Sequence, residues 1–159
     1  MIRFLFEIQN VSENERSEFI LELEKSDYRK KVYDNTLLVI DRLDEESKAS
    51  IVGKLFCKLI EGKIDRNEYF RLVNLVEKVF IGDLEVIKYK AESYREIERP
   101  MEIFRELDNE FFKETMANFG IYKRYYKNKS KYRNSDSETI IKTDYALTTF
   151  GKLLVNNGF

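Results

Sequence analysis

Apolar residues along this chain recur mainly at helical spacing, and the polar residues between them repeat as start and stop signals. In "SENERSEFILELEK" (12–25) Ser12 followed by Glu15 is a capping box, and Phe19, Ile20 and Leu23 make a narrow apolar stripe. "SDYRKKVYDNTLLVIDRL" predicts a second helix with Ser26 as N-cap and Tyr33, Leu37 and Ile40 on one face. Asp44 is placed to cap a third, whose Ile51, Val52, Leu55, Phe56, Leu59 and Ile60 form a broad stripe suited to the centre of a core. A fourth, opening at Asp65, carries Tyr69, Phe70, Leu72, Val73, Leu75, Val76, Val79 and Phe80. It is apolar nearly all round and is expected to be the most buried element. Gly82 either breaks it or sits inside a continuation through 99, where charge dominates and a solvated helix or connector is expected.

Pro100 opens a second section. "PMEIFRELDNEFFKETMANFG" is helical in pattern, with Ile103, Phe104, Leu107, Phe111 and Phe112 on its apolar side and Gly120 as terminator. The period then changes from helical to alternating. "IYKRYY" and "ETIIKTDYAL" read as two strands separated by a polar loop, "KNKSKYRNSDS", and "LTTFGKLLVNNGF" as a short final helix capped by Thr148. The fold expected is mainly α: a multi-helix N-terminal bundle (1–99), followed by a small α+β winged-helix-like C-terminal module with a β-hairpin (100–159).

"KLIEGKIDRNEYFRL" (58–72) superficially matches the second half of a calcium-binding loop, with Gly62, Ile64 and Glu68 at loop positions 6, 8 and 12. Positions 1, 3 and 5, which must supply oxygen, fall on Cys57, Leu59 and Glu61. A thiol and an aliphatic side chain do not serve a hard cation. Gly62 as a left-handed residue past a helix, and Asp65 with Glu68 as a capping box, account for the same letters as a helix–turn–helix corner.

Composition sharpens this picture in three places. One Pro and six Gly in 159 residues favour helices over a turn-rich β-fold, and twelve Phe with ten Tyr supply the core in large pieces. Histidine is absent, which removes Ser–His and Cys–His pairs and imidazole metal ligation. The single Cys57 has no internal disulfide partner and fits a reducing, cytoplasmic setting; the longest apolar run, "LLVI", is far short of a bilayer span. No cofactor and no membrane contact are expected for the chain as given.

Charge is unevenly divided. Residues 1–120 hold 20 Lys/Arg against 26 Asp/Glu, whereas residues 121–159 hold 8 against 3. The basic excess concentrates in "IYKRYYKNKSKYR" (121–133), where Lys123, Arg124, Lys127, Lys129, Lys131 and Arg133 alternate with tyrosines including Tyr125 and Tyr126. Such a cluster attracts phosphates by counterion release, and aromatic faces stack on unpaired bases. The same charges would also keep an exposed edge strand from aggregating. The preceding helix, Glu110–Asn118, stands where a recognition helix would, but its phenylalanines and acids are poor chemistry for a major groove. Asp44/Glu45/Glu46 and Glu96/Glu98 read as helix-start and polar-face carboxylates, and Cys57 as a small core residue; no Gly-rich phosphate loop or zinc spacing occurs.

Two resemblances add to this reading. "ANFGI" followed by a hairpin and "YALTTFGKLL" resembles the closing segment of many bacterial winged-helix proteins. "FLFEIQNVSENERSEFILELEKSDYRKKVYDN", "LLVIDRLDEESKASIVGKLFCKLIEGKID" and "YFRLVNLVEKVFIGDL" resemble an uncharacterised family of bacterial proteins, some prophage-associated, whose members share the "Y.LT..G" ending. The resemblance implies a helical architecture and a bacterial or phage origin, and carries no activity. The function expected is a non-catalytic interaction or regulatory protein acting through protein–protein contacts, with a homo-oligomer as a further expectation. The alternatives are a nucleic-acid-binding regulator using the basic hairpin 121–133, and a phage or host-conflict factor (defence or anti-defence).

Overall fold

The computed structural model describes residues 2–25, 28–93, 110–131 and 138–159. Among them the chain is mainly helical, with eight helices and a two-stranded antiparallel hairpin that precedes the last helix. Two compact units divide it: residues 1–97 with 154–159, and residues 98–153. No helix among the described residues is long and apolar enough to cross a membrane.

The first unit contains α1 (Ile2–Ile8), α2 (Glu13–Glu24), α3 (Tyr28–Arg42), α4 (Glu46–Ile60), α5 (Arg66–Lys78) and α6 (Ile81–Ser93). Two of these helices begin as the sequence dictates. Ser12 Oγ accepts from Glu15 N at 3.3 Å while Glu15 returns to Ser12 N at 3.2 Å. Asp65 and Glu68 repeat the exchange at 2.9 and 2.8 Å. Gly62, at φ +66°, ends α4 in a Schellman turn: Gly62 N donates to Leu59 O (3.1 Å) and Lys63 N to Lys58 O (2.9 Å).

Helix α4 is the centre of the unit, packing against α1, α2 and α5, with Ile51, Val52, Leu55 and Leu59 buried. Phe56 joins the neighbours, its ring lying 5.5 Å from Phe4, 5.9 Å from Phe19 and 5.6 Å from Tyr69. Gly53 lets α1 come close: a Cβ there would stand 2.9 Å from Glu7 Cβ and 3.1 Å from Phe4 O. Ser50 and Cys57, one turn to either side on the same face of α4, donate to Glu7 Oε1 (2.5 Å) and Glu7 O (3.3 Å). A seven-residue helix has too few internal bonds to hold itself, so α1 exists through this seat on α4.

Several expectations are corrected here. Ile20 is half exposed, so the buried stripe of α2 is Phe19 and Leu23 alone. On α3 the buried face is Val32, Thr36, Val39 and Ile40, leaving Tyr33 65% exposed and Leu37 partly so. Thr36 is admitted because its hydroxyl is satisfied: Oγ1 donates to Val32 O (2.7 Å) and lies 2.9 Å from the Tyr69 hydroxyl, which must therefore be the donor to it. Asp44 does not cap α4. Glu45 is the N-cap residue, with no side-chain cap bond, and Asp44 pairs with Lys48 at 2.8 Å. Lys48 is 2% exposed and also donates to Glu77 O in the last turn of α5 (3.3 Å). Helix α5 is amphipathic, not apolar all round: Tyr69, Leu72, Val73, Leu75 and Val76 are buried, Arg71 and Asn74 are exposed, and α4 buries more residues. The break after α5 falls at Val79–Phe80, before Gly82, and leaves Phe80 70% exposed. Ser26, Ile103, Phe104 and Leu107 lie outside the described residues, as does Pro100.

The second unit holds α7 (Glu110–Asn118), β1 (Tyr122–Lys131), β2 (Glu138–Leu147) and the start of α8 (Thr149–Gly158). Strand β1 reaches through "KNKSK", so Lys127–Lys131 belong to the ladder and not to a loop. From Leu154 onward α8 groups with the first unit, where Gly158 leaves room for Ile51 and Lys54 Nζ donates to Phe159 O at 3.2 Å.

Candidate nucleic-acid interface

The hairpin is positioned by what precedes and follows it. Phe112 and Met116 form the buried side of α7, whereas Phe111, expected beside them, is 79% exposed. Gly120, at φ +76°, ends this helix as expected, again in a Schellman turn: Gly120 N donates to Ala117 O (3.0 Å) and Ile121 N to Met116 O (2.9 Å). The turn brings buried Ile121 back toward Met116 and delivers Tyr122 edge-on to Phe112, centroids 6.0 Å apart. Thr148 caps α8 as expected, its Oγ1 accepting from Gly151 N (2.9 Å) and donating to Gly120 O (2.6 Å). The exit of β2 is thereby tied to the entry of β1.

The antiparallel register pairs Tyr122 with Leu147 and runs without a bulge to Lys131 with Glu138. Residues directly opposite share a face, and successive residues alternate. One face therefore carries Tyr122, Arg124, Tyr126, Asn128 and Ser130, with Leu147, Tyr145, Thr143, Ile141 and Thr139 across from them. The near end of that face lies against α7. Arg124 Nη2 is 2.7 Å from Glu114 Oε2 and 3.1 Å from Asn118 Oδ1, and the Tyr145 hydroxyl donates to Glu114.

The opposite face takes Lys123, Tyr125, Lys127, Lys129 and Lys131, opposed by Ala146, Asp144, Lys142, Ile140 and Glu138. Lys123 and Ala146 are exposed, and Tyr125 is half-buried. Of the eight residues singled out by sequence, the register thus gathers five on one face, assigns Arg124 and Tyr126 to the other, and commits Arg124 to an ion pair within the unit. Arg133 lies outside the described residues. Sequence reasoning missed Lys142, the residue facing Lys127. The signal that finds it is the strand register, which composition does not carry.

Several other chemistry-bearing groups have structural partners. The hydrogen bond from Lys48 holds the Asp44 carboxyl below the usual carboxylate range. Partial burial pushes Glu61 upward, but hydrogen bonds from Lys63 (2.6 Å) and Lys58 (2.9 Å) outweigh it and leave that carboxyl low. Burial, helped by the nearby Glu61 and Glu7 carboxylates, pushes the Cys57 thiol up to about 11, the reverse of an activated nucleophile. Burial likewise raises the Tyr69 phenol and the Asp83 carboxyl. A cleft of about 310 Å3 in the first unit is lined by Arg3, Glu46, Ser50, Lys54, Lys88 and Phe159 among others. Its charges are of both signs, and Arg3 already approaches Glu46 at 3.7 Å. Among the described residues no group of three acidic or thiol side chains converges as a metal site would require. Glu96 and Glu98 lie outside the described residues. Comparison with protein-family models, with curated proteins and with solved structures finds no match to this chain.

Proposed function

We propose that this chain is a non-catalytic interaction protein of bacterial or phage origin, working through contact with a protein partner. The observation that carries the reading is the outer side of α1. A surface helix normally buries one apolar stripe and turns polar residues to water. Helix α1 buries Phe4 against α4, yet its other side exposes Ile2 (84%), Leu5 (51%) and Phe6 (63%). Fully burying each such side chain is worth about 1.5–3 kcal/mol, so three together suit a protein contact. Helix α3 repeats the pattern more weakly with Tyr33, Leu37 and Leu38. The origin rests on the sequence resemblance alone.

The test is affinity capture with the full chain from a nuclease-treated bacterial lysate, comparing wild type with a Leu5→Gln, Phe6→Ser variant. Expected is a companion protein retained by wild type, lost with the variant, and cross-linked to α1. Equal capture by both, or a saturable turnover that disappears on replacing Cys57 or a carboxylate, overturns the proposal.

A further inference from the structure

We infer that the lysine face of the β1–β2 hairpin is a binding surface for the phosphate backbone of nucleic acid, independent of base sequence. This goes beyond the protein contact proposed for α1 and rests on different residues. Four lysines of β1 (Lys123, Lys127, Lys129, Lys131) and Lys142 of β2 occupy one face, against two acids, Asp144 and Glu138. Glu138 stands opposite Lys131 and Asp144 opposite Tyr125. Between them the register pairs Lys127 with Lys142 and Lys129 with Ile140.

Like charges opposed across a ladder destabilise it, and a polyanion laid along the face removes that repulsion. Edge protection explains less. Lysines on either face would deter a second strand equally well, whereas here every lysine of the two strands shares a face and the lone arginine of β1 is spent on Glu114. Lysine is a point charge without the planar fork that reads guanine, which suits backbone contact. Tyr125 shares the face and offers a ring on which an unpaired base can stack. A membrane surface fits less well, since among the described residues this face supplies Ile140 but no run of large apolar anchors.

The test uses the full chain and a labelled mixed-sequence oligonucleotide, single-stranded and duplex, titrated over a range of salt. Wild type is expected to bind with an affinity that falls steeply with salt. Lys127→Gln, Lys129→Gln, Lys142→Gln is expected to lower the slope of log K against log salt by about 2 on single strands, roughly 0.7 per lysine, and to weaken binding more than tenfold. The arginine version of the same three positions should restore it. A charge-lowering control, Asn128→Glu with Ser130→Glu, alters the other face and should bind within about threefold of wild type, as should the α1 variant. Absence of salt-dependent binding by wild type, equal loss with the Asn128/Ser130 control, or binding only to phosphatidylserine vesicles or polyglutamate overturns the inference.

Discussion

The α4–α5 corner and the β1–β2 hairpin both reverse the chain, and they dispose of charge in opposite ways. In the corner, Glu61 takes Lys58 and Lys63, while Asp65 and Glu68 satisfy each other's backbone amides at the start of α5. These charges close helix ends, and the same letters that resemble a metal loop are consumed by the fold. In the hairpin, the strand register sets Lys127 opposite Lys142 and Lys129 opposite Ile140. A charge engaged with the chain's own backbone or an opposite charge belongs to the architecture. One set opposite its like costs stability and leaves a repulsion that the proposed anionic ligand would relieve.

The contrast breaks most readily on the helical side. Leu55 has no exposed surface and lies on the buried face of the central helix. Leu55→Ala should cost about 2–5 kcal/mol in urea denaturation through lost transfer energy and the cavity left behind. A cost under about 1 kcal/mol would mean that α4 is not the centre of the core. Next is Lys48→Met, which keeps the volume but withdraws the hydrogen bond to Glu77 O; an orphaned carbonyl there should cost about 1–3 kcal/mol. The same change tests a pH effect. Because Lys48 lowers the Asp44 carboxyl, their pairing stabilises the fold above the ordinary carboxylate range and is lost as pH falls through the depressed folded value. Wild type should therefore lose stability on the acid side more steeply than Lys48→Met. Smaller again is Asp65→Ala, which deletes half of the capping box and should cost about 1 kcal/mol by thermal melting.

What the sequence made legible follows the same division. Capping boxes and terminating glycines are local devices: Ser12/Glu15, Asp65/Glu68, Gly62, Gly120 and Thr148 act within a few residues, and all five perform as their spacing implies. Features set by distant partners were not legible. Helix α1 needs the gap that Gly53 leaves on α4. The buried face of α3 includes Thr36, because Tyr69 from another helix meets its hydroxyl, so polarity alone pointed to the wrong stripe. Asp44 has the chemistry of a cap, but a buried lysine one turn later takes its carboxylate. Strand β1 runs through Lys, Asn and Ser residues of low strand preference because β2 pairs with them. The candidate site shows both sides: its lysines were visible as composition, whereas their common face and Lys142 emerged only with the register.

The sharpest form of the comparison reverses a sign. Removing a corner charge should destabilise, whereas removing one from the lysine face should do the opposite. Lys127→Glu places an acid opposite Lys142 and converts a repulsive cross-strand pair into an attractive one, a gain of about 0.2–1 kcal/mol. Hydrogen exchange of the β1 and β2 amides in the full chain, at low salt, should show slower opening in the variant, and added salt should narrow the difference because screening weakens both pairs. Making the same change in a Lys142→Gln background isolates the pairwise term: the gain should shrink toward zero when no cation faces position 127. A gain that persists undiminished there would place its origin in strand preference and not in the opposed lysines, and the hairpin would then differ from the corner in composition alone.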